Sequence, residues 1–71
     1  MTKPTPLRTL IVVPTHNEAA NIIELLDRLA ANVPDADVVV VDDASSDATR
    51  SLVHQRMQTD DRLRIVERPE K

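Results

Sequence analysis

The sequence predicts an α/β fold of order β-α-β-α-β built on a parallel sheet. Three observations carry this. Two short apolar runs rich in β-branched residues, Leu7 to Val13 and Asp37 to Val41, each stop at a cluster of polar side chains. Each run is followed by apolar residues at helical spacing. A third short segment, with Leu63, Ile65 and Val66, follows the second helical pattern. Connections of this length between strands favour parallel pairing with right-handed crossovers. The pattern is the first half of a doubly wound nucleotide-binding arrangement, leaving a long sheet edge exposed.

Taken in order, residues 1–6 carry Pro4 and Pro6 and no apolar core, so they read as a disordered leader and not as a signal peptide. Leu7 to Val13 is nearly continuous in apolar residues, which predicts a strand buried on both faces, ended by Pro14. A helix is predicted from near Asn17, with Thr15 and Glu18 at the spacing of a capping box. Ala19, Ile22, Ile23, Leu26, Leu29 and Ala30 form its apolar stripe, and Asn32 and Pro34 end it. Asp37 to Val41 predicts a second buried strand. Ser45, Ser46 and Asp47 then offer N-caps for a helix reaching about Gln58, with Leu52, Val53 and Met57 as a thinner stripe. Thr59 to Asp61 predicts a turn, and Arg68-Pro69 closes the third strand.

Composition narrows the function classes. At 71 residues, an isolated fold buries only roughly 60% of its unfolded surface. There is no cysteine to form a disulfide or thiolate metal site, and no aromatic residue to anchor a core. Glycine is also absent, so every tight turn must use Asn, Asp, Ser, Ala or Pro. A net charge of −3 with scattered cations argues against nucleic acid as a partner. No apolar run approaches the ~20 residues of a membrane span.

The chemistry concentrates at two predicted strand ends, where open α/β sheets bind ligands. Asp42 and Asp43 follow four valines, and strand alternation points them to opposite faces. One can face a ligand crevice, where a carboxylate accepts hydrogen bonds from ribose hydroxyls or base N–H groups. Equally, both can serve the N-terminus of the next helix. Asn17 and Glu18 can hold a nucleobase, brace the second carboxylate loop or simply cap a helix. His16 can stack on a base, donate a hydrogen bond, bind metal or, as is usual for a lone loop histidine, do none of these. His54 lies on the polar side of the second helix and is assigned no role. The missing glycines exclude a G-x-G-x-x-G or P-loop site, and no His/Glu spacing makes a zinc site.

Together these two segments resemble a known family. Val12-Val13-Pro14-Thr15-His16-Asn17-Glu18-Ala19 with Asn21-Ile22, then Val39-Val40-Val41-Asp42-Asp43-Ala44-Ser45-Ser46-Asp47-Ala48-Thr49, is similar to the opening of inverting family-two glycosyltransferases. The nearest group is the dolichyl- and polyprenyl-phosphate mannosyltransferases. The likeness runs from Leu7 to Pro69 and implies the opening part of a Rossmann-like GT-A domain over residues 7–71 that binds a sugar nucleotide. It implies transfer of mannose from GDP-mannose to a lipid phosphate, with a divalent metal (Mg or Mn) at the diphosphate. By position, Pro14, His16 and Glu18 match the loop around the base, Val41 and Asp43 match contacts to base and ribose, and Asp42 is mainly structural.

Four positions depart from the family text: His16 for Tyr, Ala44 for Gly, Ser46 for Pro and Ala48 for Gly. A positive φ at position 44 or 48 would cost an alanine about 1 kcal/mol or more. The family continues into a glycine-rich segment and an Asp-x-Asp strand end that holds metal and diphosphate, whereas this text stops at Glu70-Lys71. The sequence therefore reads as an N-terminal fragment with half a donor site, no catalytic residue of its own and few of the metal's ligands. It also reads as cytoplasmic, at most at the cytoplasmic face of a membrane. Two other readings compete: a receiver-like, Mg-binding signalling domain, and a non-catalytic remnant. The first is disfavoured because its Asp pair normally ends the first strand.

Overall fold

The computed structural model describes residues 8–69. The leader expected over residues 1–6, and Leu7, lie outside the described residues. The order is β1 (Leu10–Thr15), α1 (Ile22–Asn32), β2 (Asp37–Asp43), α2 (Thr49–Met57) and β3 (Leu63–Arg68). The three strands form one parallel sheet in the order β1-β2-β3. This is the β-α-β-α-β class that the apolar periodicity predicts, and it is consistent with part of a GT-A Rossmann-like domain.

Both helices lie on one face of the sheet. Ile22 and Leu26 of α1 and Val53 of α2 join Val13, Val40 and Leu63 in a single buried cluster. Arg56 of α2 reaches across to Asp27 of α1 in an ion pair. Two crossovers that advance the same way across the sheet, over the same face, have the same hand. Of the predicted α1 stripe, Ile22 and Leu26 are buried and Ile23 and Leu29 pack against the core, while Ala30 is exposed.

Two strand expectations need correction. The first run is not buried on both faces: Leu10 and Val12 are 61% and 56% exposed, and Val66 of β3 is 49% exposed. With helices on one side only, alternate residues of each strand face outward. The register places Val12 beside Val39 and Arg64, and Pro14 beside Val41 and Val66, on this open face. The second correction concerns Pro14, which lies inside β1 and does not end it. β1 is an edge strand, so a proline whose missing N–H would face outward breaks no ladder bond.

The first helix also starts later than predicted. The capping box does not form, because Thr15 is the last residue of β1 and its hydroxyl is used elsewhere. Residues 16–21 instead make a loop and turn, in which the Glu18 carbonyl accepts the N–H groups of Asn21 and Ile22 at 2.9 Å each.

Candidate functional site

The carboxyl ends of β1 and β2 are stitched together by side chains that replace the absent glycines. Asn17 has φ 53° and Ala44 has φ 52°, both in the left-handed region. Asparagine tolerates that region; alanine pays the Cβ penalty there. Position 44 is thus the residue, of the two alanines in the loop, where a glycine would fit better, since Ala48 has φ −80°. Asn17 clasps the second loop from both ends. Its N–H donates to Ser45 Oγ at 2.8 Å, and its Oδ1 accepts the Ser46 N–H at 2.8 Å. His16 Nδ1 donates to the Asp43 carbonyl at 2.6 Å, which requires the proton on Nδ1. Nε2 is then free to accept from Asn17 Nδ2 at 3.4 Å.

The two adjacent carboxylates part ways, as alternation requires. Asp42 is fully buried on the helix face, and Asp43 is exposed on the open face. Asp42 accepts from Thr15 Oγ1 at 2.7 Å, Ser45 Oγ at 2.5 Å, the Ser45 N–H at 3.2 Å and Arg50 Nε at 2.6 Å. Burial alone would raise its pKa; the donors from Ser45, Arg50 and Thr15 outweigh burial and hold it well below the ordinary carboxylate range. Asp42 therefore stays ionised and is already fully engaged. This is the structural role that the resemblance implies for it.

A second buried knot ties the loops to α2. The Thr49 hydroxyl is fully buried, accepts the Glu18 N–H at 2.9 Å and donates to Asp47. Asp47 also accepts the Thr49 N–H at 2.9 Å and the Ala19 N–H at 3.2 Å. Its pKa is lowered chiefly by the Thr49 side-chain and backbone hydrogen bonds. The N-cap position of α2 is Ala48, which has no side-chain cap, but Asp47, one of the three capping candidates in the sequence, accepts the first helical amide.

The expected site residues gather at this edge. Pro14 and Val41 are register neighbours on the open face, and Asp43 follows Val41 two residues further on the same face. His16 is fixed against the Asp43 backbone. Glu18 lines a hollow of about 240 Å³ with Pro14, Thr15, Asn21, Ile22 and Leu25, whereas His16, Val41 and Asp43 do not line it. The arrangement offers an exposed carboxylate, an imidazole with a set tautomer and an apolar floor. A larger cleft of 320 Å³ lies at the opposite end, between Leu29, Val33, Ala36 and Val38. Arg56, Thr59, Asp60 and Arg62 also line it, with Arg56 paired to Asp27 and Arg62 donating to the Asp35 carbonyl.

Sequence reasoning missed Thr49 and Arg50. A signal for Arg50 existed: a cation in the first turn of a helix opposes the helix dipole, so its presence there points to a specific acceptor. It also passed over Asp35-Ala36-Asp37, which has Asp-x-Asp spacing. That trio lies at the amino end of β2, away from the edge, and Asp37 is paired with Arg8 at 2.6 Å. The divalent metal that the resemblance implies does not fit the donors gathered here. Asp42 is saturated and Asp47 already engaged by protein donors, and no group of three potential ligands exists among the described residues.

Open parallel α/β sheets bind ligands at the carboxyl ends of their strands, which is where the paired loops and the solvent-facing Asp43 lie. Residues 10–71 match the domain described as Glycosyl transferase family 2, and the chain belongs to that family. It is 38% identical over 65 residues to an undecaprenyl-phosphate mannosyltransferase of Micrococcus luteus, covering 92% of this chain and 27% of that protein. It is 36% identical over 65 residues to a polyprenol monophosphomannose synthase of Mycolicibacterium smegmatis, covering 90% of this chain and 24% of that protein. The chain thus spans about a quarter of the length of these relatives. No solved structure gives a significant match. Family membership sets aside the receiver-domain reading. Among the described residues no helix is long and apolar enough to cross a membrane.

Proposed function

We propose that this chain forms the nucleotide-recognition part of a glycosyltransferase that moves mannose from GDP-mannose to a polyprenyl phosphate. One observation carries the reading: Asp43 is a solvent-facing carboxylate at the end of β2, while its neighbour Asp42 is buried and saturated. A free acceptor-only group beside an apolar floor suits the ribose hydroxyls and base N–H groups of a nucleoside diphosphate. In this reading Asp43 accepts from the nucleoside, and the His16 ring stacks on the base. Pro14 and Val41 supply the apolar contact, and Glu18 borders the base. The names of the two relatives support mannose and a polyprenyl carrier as the transferred group and acceptor. A divalent metal at the diphosphate would draw its ligands from outside the residues described here.

The test is titration calorimetry with GDP-mannose, GDP and UDP-glucose. GDP and GDP-mannose bind, and UDP-glucose binds more weakly. Asp43→Ala weakens GDP binding by about 1.5–3 kcal/mol, the range for a hydrogen bond to a charged group. His54→Ala changes nothing. An unchanged dissociation constant in Asp43→Ala would remove Asp43 from the site.

A further inference from the structure

Arg50 bridges the ends of β2 and β3 directly and reaches the end of β1 through Asp42. Its Nε donates to Asp42 Oδ2 at 2.6 Å, at the end of β2. Its Nη2 donates to the Arg68 carbonyl at 2.9 Å, at the end of β3. That same carbonyl accepts the Ala44 N–H at 3.0 Å, the amide of the left-handed residue. Through Asp42 the link extends to Thr15 at the end of β1 and to Ser45 in the turn. Glu67 adds a second carboxylate 3.6 Å from Nε. The Arg50 side chain is 30% exposed on the helix face, whereas Asp43 faces the open side.

We propose that Arg50 is a positioning residue for nucleotide binding: by bridging Asp42 to the end of β3 it holds the Asp43–Ser46 turn in its binding shape without touching the ligand. The inference rests on the nucleotide reading above. A planar guanidinium is needed because two acceptors in different strands must be met at once. A lysine ammonium can neutralise Asp42 but, as a compact point charge, does not reproduce the fork.

The experiment compares wild type, Arg50→Lys, Arg50→Met and Asp43→Ala. The readouts are thermal melting by far-UV circular dichroism, GDP affinity by calorimetry and amide exchange at Ala44 and Ser45. Arg50→Lys melts within about 4 °C of wild type, because the buried carboxylate keeps a counter-charge. It nonetheless binds GDP about tenfold more weakly, the factor equivalent to one hydrogen bond lost from the turn. The Ala44 amide exchanges faster in it, and Arg50→Met loses both stability and affinity. If Arg50→Lys binds GDP as wild type does while Asp43→Ala weakens binding, Arg50 is structural only and the nucleotide reading survives. If Asp43→Ala also binds unchanged, or wild type does not bind GDP, the nucleotide reading falls and takes this inference with it.

Discussion

Replacing Asp42 by asparagine is the sharpest perturbation this fold offers, because the shape is kept and one charge is lost. The carboxamide oxygen can take the place of Oδ1 and keep the Thr15 and Ser45 hydroxyl bonds. Its NH₂ group then occupies the Oδ2 position, where Arg50 Nε and the Ser45 N–H both donate. Two acceptor contacts become donor–donor contacts, and Arg50 loses its nearest counter-charge. A hydrogen bond involving a charged group contributes about 1.5–3 kcal/mol, and both the Arg50 and the Ser45 N–H bonds are made to the ionised carboxylate. Arg50 remains partly solvated, so the lower end applies, giving a loss of about 3 kcal/mol. Globular chains have only about 0.05–0.15 kcal/mol per residue in total, so the loss is a large share of this chain's stability. Urea unfolding followed by far-UV circular dichroism measures it, since the chain has no aromatic residue to report by fluorescence. With a slope near 1 kcal/mol/M, the midpoint falls by about 3 M, or the transition disappears. A midpoint within about 0.5 M of wild type would refute the account of Asp42 as the buried hub of the edge.

Acid provides an independent view of the same group. The folded-state pKa of Asp42 lies below its ordinary value of 3.8, so folding favours its ionised form. Its contribution is complete above that value and is lost as pH falls from about 4 through the folded-state value; Asp42→Asn flattens this decline in a pH series of urea midpoints. Ala44→Gly removes a Cβ from a left-handed residue and raises stability by up to about 1 kcal/mol, the penalty of about 1–2 being partly offset by glycine's greater unfolded-state freedom. A drop in its melting temperature would contradict the φ at that position. On β1, Val13→Thr costs about 1–3 kcal/mol by placing a hydroxyl in the core, whereas Val12→Thr on the open face stays within about 0.5. Equal costs for the two would show that both faces of β1 are covered.

The order of elements was legible because apolar periodicity changes cleanly at Pro14, Asn32, Asp42 and Gln58. One-sided burial was not: the run Val38 to Val41 reads as buried on both faces, and only the placement of α1 and α2 on one side decides which valines face out. The start of α1 was misread because Thr15 and Glu18 have capping spacing, yet tertiary acceptors took their groups. Asp42 claimed the Thr15 hydroxyl, and Thr49 claimed the Glu18 amide. His16, Asn17, Glu18, Asp42 and Asp43 were legible because abrupt polar stops after apolar runs mark strand ends, whereas Pro14 and Val41 came only from the resemblance. The divergence of Asp42 from Asp43 followed from alternation alone. Arg50 and Thr49, which brace the edge from the next helix, needed the three-dimensional arrangement.

The central claim is that nucleotide binds at the carboxyl edge of the sheet. Titrating GDP into the isotope-labelled chain and following backbone amides by NMR tests it most directly. The account predicts shifts concentrated at His16, Asn17, Glu18, Asp43, Ala44 and Ser45, absent in Asp43→Ala. Shifts centred instead on Val33, Ala36 and Val38, at the opposite cleft, would contradict it.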